Sequence, residues 1–556
     1  MAFEKNLLTV KNLDLKIDNV HILKNLNFSI LKNRITAIVG ESGSGKSITA
    51  MSLMGLNPKG YNISNKSEIF FEDLSLLEIS EKKWRKIRGN EFGIIFQEPQ
   101  SSLNPTMKCG TQIDEVLKLH QQNYNKVDAK KIILSQLKKV KLIDAKKVFN
   151  SYPHQLSGGQ KQRLMIAMAL ICKPKLLIAD EPTTALDIIV QKEIIELIKE
   201  LQKQNSMSVL FISHDISLVS YIADKIIVMK EGEIIEKGEK INILKSPSHP
   251  YTKTLLKSKP PLNIRLRVLP TDKYINKKIG NDNIISKKTR KEKHKKIYSK
   301  DPILKVVGLK KNYFKQNFIK KTEFQALKFI NFELYRGETL GILGPSGSGK
   351  STLGKTLVLL EKYNNGEVFL NNKKINLNSK NDIKNLRKTI QFVFQDPYSS
   401  LHPKKKIGDS ISEIINFHEK KSKISSVKDT VKLLKLVELK KEIYDRFPHE
   451  LSGGQRQRVV IARALAIKPK VIILDESVAS LDISIQAKIL NLLNNLKEKL
   501  SLSYIFISHD LTVLKFMSDR IMVIDDGKIV EFQEADNLYE NPKMRITKKL
   551  IKSIKY

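Results

Sequence analysis

One eight-residue pattern occurs twice in this 556-residue chain, as Gly40-Glu-Ser-Gly-Ser-Gly-Lys-Ser47 and, with one residue changed, as Gly344-Pro-Ser-Gly-Ser-Gly-Lys-Ser351. Each copy directly follows an apolar run, Ile35 to Val39 or Thr339 to Leu343. Other pairs repeat in the same order: FQEP at Phe96 and FQDP at Phe394, LSGGQ at Leu156 and Leu451, and SHD at Ser213 and Ser508. Between the last two, an apolar run ends in Asp180-Glu181 and again in Asp475-Glu476. From LSGGQ onward the halves stay in constant register, since Glu181 stands to Glu476 as His214 stands to His509. A repeat on this scale means two homologous domains in series. The alternation of strand-like with helix-like runs in each predicts an α/β fold, a mainly parallel sheet flanked by helices.

The expected boundaries are 1–259 for the first domain, 260–301 for a linker and 302–556 for the second domain. The linker lacks apolar periodicity and carries KKTRKEKHKK (Lys287 to Lys296), so it is expected to be a flexible, solvated, self-repelling tether. A nucleic-acid-binding arm fits less well, because no aromatic residues interleave the basic cluster as stacking platforms.

Hydrophobic residues make up 41% and charged residues 28% of the chain, a composition that folds. The net charge of +40 points to phosphates, nucleic acid or an anionic membrane surface, or else to a genome rich in Lys, Asn and Ile. Two cysteines, Cys109 and Cys172, cannot build a disulfide framework or a four-ligand zinc or iron–sulfur site by themselves, and a reducing cytoplasm suits them. The N-terminus has no apolar signal-peptide core and no run of 18 apolar residues occurs, so no bilayer-spanning segment is expected.

A GxxxxGKS loop between a strand and a helix is a phosphate cradle. Its glycines let backbone N–H groups converge on a phosphate and the helix N-terminus adds positive potential. In the first copy Gly40, Glu41, Ser42, Gly43, Ser44 and Gly45 form the loop, Lys46 reaches the β/γ-phosphates and Ser47 ligates Mg²⁺. In the second, Gly344, Pro345, Ser346, Gly347, Ser348 and Gly349 are followed by Lys350, Ser351 and Thr352 in the same roles. Asp180 and Asp475, at the carboxyl ends of buried strands, are placed to bind Mg²⁺ through water, and Glu181 and Glu476 to polarise the attacking water. His214 and His509 sense the γ-phosphate or orient that water, and Gln97 and Gln395 touch Mg²⁺ or the water. LSGGQ is a second helix N-terminus per domain, more than one nucleotide needs. The economical solution is a sandwich in which Ser157, Gly158, Gly159 and Gln160, or Ser452, Gly453, Gly454 and Gln455, serve the ATP held by the other domain. ATP then closes a clamp through intramolecular pairing of the domains, and hydrolysis releases it.

Phosphate loop, glutamine loop, LSGGQ, Asp-Glu strand, the turns at Thr184 to Asp187 and Ala479 to Asp482, and SHD, in that order and twice, resemble the ATP-binding cassette (ABC) ATPases. The resemblance implies two tandem P-loop NTPase domains with RecA-like cores, each with a helical subdomain and an N-terminal antiparallel β-subdomain, and ATP and Mg²⁺ as cofactors. FQEPQSSLNP, FQDPYSSLHP, DEPTTALD and SPSHPYTKTLL (Ser246 to Leu256) are similar to the ATPase subunits of bacterial dipeptide/oligopeptide importers, here fused in one chain. That implies two integral-membrane permease subunits, an extracytoplasmic solute-binding protein and a peripheral location on the cytoplasmic face of the inner membrane. The basic surface then meets anionic headgroups, and no nucleic acid is expected. The alternative, a soluble tandem-cassette ATPase acting on ribosomes or nucleic acid, predicts a long helical arm or zinc-binding CxxC pairs, and the sequence has neither.

The sequence departs from the family pattern in four places. The aromatic expected to stack on adenine is Tyr313 in the second domain, but Ile17 stands there in the first, so site 1 is expected to hold ATP less tightly. Ser477 replaces the proline that follows the catalytic glutamate, which predicts a looser loop. NPKMRITKKLI replaces SPSHPYTKTLL at the end of the second domain, so the HPYT element is degraded there. The cysteine-rich tail of some oligopeptide ATPases is missing.

Overall fold

A computed structural model of the chain describes residues 5–184, 186–271, 283–316, 321–479 and 481–554. These residues form two compact units, Met1–Leu256 and Lys257–Lys555.

In the first unit the strands of the central sheet run in the order Glu233–Glu239, Lys225–Lys230, Ile35–Val39, Ser208–Ser213, Leu176–Asp180, Phe92–Ile95. All neighbours are parallel except the edge pair Lys225–Lys230 and Glu233–Glu239. Ile35–Val39, Leu176–Asp180 and Ser208–Ser213 are buried at every residue, which is why they read as unbroken apolar runs rather than as alternating ones. An antiparallel sheet built on Asn6–Ile17 and Val20–Leu31 covers one face. Its inward residues, among them Leu8, Leu13, Leu23 and Ile30, form one core with Ile38, Ile178 and Ile212. The helices Cys109–His120, Lys126–Lys139 and Ala145–Asn150 follow the glutamine loop and bury Ile113, Ile133 and Val148 with the other face of the sheet. The three-part domain expected from the sequence is therefore present.

The second unit repeats it. Its parallel sheet runs Ile390–Val393, Val471–Asp475, Ser503–Ile507, Thr339–Leu343, Arg520–Asp525, with Lys528–Glu534 antiparallel at the edge. Pro302–Gln316 and Lys321–Tyr335 form the antiparallel sheet, and Ile407–Glu419 and Lys423–Leu436 the helical part.

Two expectations need correction. The segment 260–301 is not a loose tether where it is described. Leu269 exchanges backbone hydrogen bonds of 2.9 Å with the Asn491 amide. Lys287–Tyr298 is a helix capped by Ser286, with Arg290 and Ile297 buried. Its positive charges do not repel one another into solvent because acids of the same unit receive them: Arg290 meets Glu534 and Asp536, and Lys293 and His294 meet Asp519. Residues 272–282 of the expected linker lie outside the described residues. The HPYT element of the second domain, degraded in sequence, keeps its structure. Glu236 accepts the N–H groups of Ser248 and His249 ahead of the helix Pro250–Lys257, and Glu531 accepts those of Lys543 and Met544 ahead of Arg545–Ile554.

Two candidate nucleotide sites

The phosphate loop of each unit joins a buried strand to an eight-residue helix, Lys46–Leu53 or Lys350–Leu357. Gly45 (φ 96°) and Gly349 (φ 105°) are in the left-handed region, which an L side chain adopts only with strain. A Cβ on Gly40 or Gly344 would fall 2.2 Å from the carbonyl oxygen of Met229 or Ile524. Lys46 Nζ donates to the carbonyls of Gly40 (2.9 Å) and Glu41 (2.8 Å), and Lys350 to those of Gly344 and Pro345 (both 2.8 Å). The ammonium is thereby folded back over its own loop. Ser44 Oγ and Ser348 Oγ are buried in the loops without a hydrogen-bond partner, an arrangement that an incoming phosphate oxygen would satisfy.

At the strand ends, Ser47 Oγ donates to Asp180 Oδ1 (3.1 Å) and Ser351 Oγ to Asp475 Oδ1 (3.0 Å). Burial pushes both aspartates up to about 6. A buried carboxylate beside a hydroxyl, both hard oxygen donors, is a set that fits Mg²⁺. A cation there would offset the burial that raises these carboxyls.

Glu181 and Glu476 follow immediately, both with φ 45°, a left-handed conformation that a non-glycine residue holds at a cost of roughly 1–3 kcal/mol. The kink turns each side chain back over the strand end. Glu181 Oε2 accepts from Gln97 Nε2 (3.0 Å) and Thr184 Oγ1 (3.0 Å) and lies 3.1 Å from His214 Nδ1. Glu476 Oε2 accepts from Gln395 Nε2 (3.0 Å) and lies 3.4 Å from His509 Nδ1. Burial raises each carboxyl, but the hydrogen bond and charge of its histidine outweigh that and leave both below the ordinary value. Burial likewise lowers the His509 imidazole, and Glu476 more than reverses it. With Ser477 in place of the proline, the glutamate keeps the same backbone angle, φ at Glu476 being equal to φ at Glu181. Ser477 is buried with its hydroxyl unpaired.

Thus the structure brings Lys46, Ser47, Gln97, Asp180, Glu181 and His214 together, and their counterparts Lys350, Ser351, Gln395, Asp475, Glu476 and His509. The signature residues do a different job locally. Ser157 and Ser452 cap the helices Gly158–Leu170 and Gly453–Leu465 in reciprocal capping boxes with Gln160 and Gln455. The two glutamine side chains accept the serine N–H groups at 2.9 and 3.1 Å. The second glycine of each signature is required by packing, because a Cβ on Gly159 or Gly454 would meet Val190 at 2.7 Å or Ile485 at 2.5 Å. The first glycines, Gly158 and Gly453, have room.

Tyr313 is hydrogen-bonded through its hydroxyl to Glu361 and to Thr352 of the phosphate-loop helix, with Lys311 Nζ 4.9 Å from the ring centre. In the first unit Ile17 pairs across the sheet with Tyr61, which is 49% exposed. Three features escaped sequence reading. They are this tyrosine, the Thr184 hydroxyl, and the Tyr251 hydroxyl of the HPYT element, which accepts the Glu41 N–H of the phosphate loop at 3.1 Å. HPYT was visible as a motif but not its target.

Both units match the ABC transporter family, over residues 23–184 and 327–479. The chain belongs to the ABC transporter family. Residues 235–282 further match the oligopeptide/dipeptide transporter C-terminal region. The chain is 40% identical, over 99% of its own length and 89% of theirs, to the glutathione import ATP-binding protein GsiA of Shigella dysenteriae serotype 1 (strain Sd197) and of Escherichia coli (strain K12). Solved structures similar to part of it include the ATP-binding cassette MJ0796, in a dimeric post-hydrolysis state bound to ADP and Pi. That match is 33% identical, covering 42% of this chain and 98% of that one with TM-score 0.38. Another is cbiO1 of Clostridium perfringens, likewise 33% identical, covering 44% and 92% with TM-score 0.38. By its two family matches and its 40% identity to import ATP-binding proteins, the chain is a tandem ABC protein that binds ATP and couples its hydrolysis to transport. Among the described residues no helix is long and apolar enough to cross a membrane.

Proposed function

We propose that this chain is the ATPase of an importer for peptides or peptide-like small solutes such as glutathione. It acts on two separate integral-membrane permease subunits fed by an extracytoplasmic solute-binding protein, from the cytoplasmic face of the membrane. The observation that carries this reading is the oligopeptide/dipeptide-type region at residues 235–282 within a chain 40% identical, over 99% of its length, to a glutathione import protein.

In this reading Lys46 and Lys350 leave their loop carbonyls for the phosphates, and the loop N–H groups and the orphan Ser44 and Ser348 hydroxyls hold them. Ser47 with Asp180, and Ser351 with Asp475, would hold Mg²⁺, which would neutralise phosphate charge, and the side-chain carbonyl oxygens of Gln97 and Gln395 would be available to it. Glu181 and Glu476 take the proton of the attacking water through Oε1, since Oε2 already accepts from the neighbouring side chains. His214 and His509 fix those carboxylates. Each signature helix N-terminus, with Ser157 or Ser452, serves the nucleotide of the other half, so that ATP draws the halves together and hydrolysis parts them.

The test is affinity purification of the Glu181→Gln/Glu476→Gln protein with ATP from detergent-solubilised native membranes. Two multispanning chains should come with it, and the variant should bind ATP without turning it over. Recovery of ribosomal proteins or DNA with no membrane protein would reject the importer, and unaltered turnover would remove both glutamates from the chemistry.

A further inference from the structure

The two halves differ at a place that the nucleotide chemistry does not use. In the second unit the helix Lys287–Tyr298 lies in a groove at the amino-terminal ends of the strands Thr339–Leu343 and Arg520–Asp525. Arg290 donates to the Ser518 and Asp519 carbonyls (3.0 and 2.9 Å), Lys293 reaches Asp519 (3.2 Å) and Tyr298 donates to Glu338 (3.2 Å). Four acids, Glu338, Asp519, Glu534 and Asp536, thus receive a basic helix.

The first unit has the same groove in the same register. Asp224 caps the first sheet residue, Ile35 N–H (2.9 Å), as Asp519 caps Thr339 N–H (2.9 Å). The Asp224 carbonyl accepts from Lys240 N–H as the Asp519 carbonyl does from Ala535 N–H. Here, however, the groove is an open cleft of about 810 Å³. Its charge balance also differs, although Asp224 and Glu239 keep the acids that Asp519 and Glu534 supply in the second half. Arg34 stands where the second half has Glu338 and Ile241 where it has Asp536. Lys199, Lys203 and Lys240 also line the cleft, against only Asp224 and Glu239. Glu239 already lies within 3.6 Å of both Arg34 and Lys225. Asp224 is exposed, whereas Asp519 is 3% exposed beneath its helix. Ile241, an apolar side chain 61% exposed, sits on the rim.

We propose that this cleft docks an acidic amphipathic helix of another polypeptide, with carboxylates against Arg34, Lys203 and Lys240 and an apolar residue against Ile241. The second half docks its own basic helix in the same way. The basic helix of this chain, or of a second copy, is disfavoured as occupant because Arg34, Lys199, Lys203 and Lys240 outnumber Asp224 and Glu239 in the cleft.

The test uses the full chain and a fluorescein-labelled synthetic peptide covering positions 286–300, with every Lys and Arg changed to Glu and Ile297 and Tyr298 kept. Binding is followed by fluorescence anisotropy at 50 and 300 mM salt. Saturable binding is expected at low salt, weakened at least tenfold at the higher salt. The Lys203→Glu/Lys240→Glu variant should lose at least tenfold while its basal ATPase rate stays unchanged. Because the whole chain is basic, Lys82→Glu/Lys83→Glu, an exposed pair elsewhere on the first unit, is the control and should lose less than twofold. Ile241→Asp should also weaken the peptide. Equal loss in the cleft and control variants would overturn the proposal, as would tighter binding of the unmodified basic peptide or of an oligodeoxythymidine.

Discussion

Arg290→Ala should unlatch the basic helix from the second cassette and lower its melting temperature. The guanidinium is 8% exposed and makes four contacts, to the Ser518 and Asp519 carbonyls and to the Glu534 and Asp536 carboxylates. Asp536 keeps Arg265 and Lys515, and the two carbonyls keep Arg265 and Ala535 as donors, so the loss is that of the charge-assisted hydrogen bonds themselves, about 1.5–3 kcal/mol. At about 2–4 °C per kcal/mol for a domain of this size, the transition should fall by about 3 °C or more. Calorimetry on the full chain is the measurement: unfolding of the second unit should move to lower temperature and that of the first should stay in place. The shift should persist in high salt, since buried pairs are poorly screened. Lys287→Ala is the contrast: its pair with Glu540 is 82% and 46% exposed, and no measurable shift is expected. Hydrogen exchange at residues 287–298 should rise in Arg290→Ala and not in Lys287→Ala. A shift under 1 °C, or one equal to that of Lys287→Ala, would refute the claim that this segment is part of the second domain's fold.

Three other outcomes follow from the sites. On the proposed role of Glu181 as base, Thr184→Ala, which removes a donor that lowers its carboxyl, should move the acidic limb of the pH–rate profile, measured in the Glu476→Gln background, to higher pH; an unmoved limb would mean the hydroxyl does not act on that carboxylate. Asp180 and Asp475, raised from 3.8 to about 6 by burial, contribute stability that is present below pH 3.8 and lost as pH rises through 6. In EDTA the melting temperature should therefore climb from pH 7 to pH 5, and Asp475→Asn should raise it at pH 7.5 by up to about 3 kcal/mol of stability, while a flat profile would show the aspartates to be better solvated than this. Tyr251→Phe strips the Glu41 N–H of its acceptor, a loss of about 1 kcal/mol, and should raise KM for ATP roughly fivefold at site 1 with kcat little changed; equal KM values would detach the HPYT element from nucleotide binding.

The parts legible in the sequence are those whose physics is local. A strand buried on both faces must be a continuous apolar run, and a phosphate loop must place glycines and a lysine within eight residues, so Val39 to Ser47 and Leu343 to Ser351 announce themselves. The signature glutamines were legible as a motif but not as capping residues. A capping box is equally local, yet here it shares its letters with a nucleotide motif, and the nucleotide reading took precedence. The basic helix was misread because its acids lie far along the chain, Glu534 being 244 residues from Arg290 and Asp519 225 from His294. Charge composition alone cannot distinguish a self-repelling tether from one half of an ion-pair interface. The degraded HPYT element was misread for a related reason. What holds it is a carboxylate accepting two N–H groups, and backbone donors carry no sequence letter, so Lys543 and Met544 serve Glu531 as well as Ser248 and His249 serve Glu236. Hydrogen-bond accounting also explains why the tyrosine itself became dispensable there. Glu41 has an N–H that needs an acceptor near the phosphate loop, and Tyr251 supplies it. Its counterpart Pro345 has no N–H to satisfy, so Ile546 in place of the tyrosine leaves no such donor stranded.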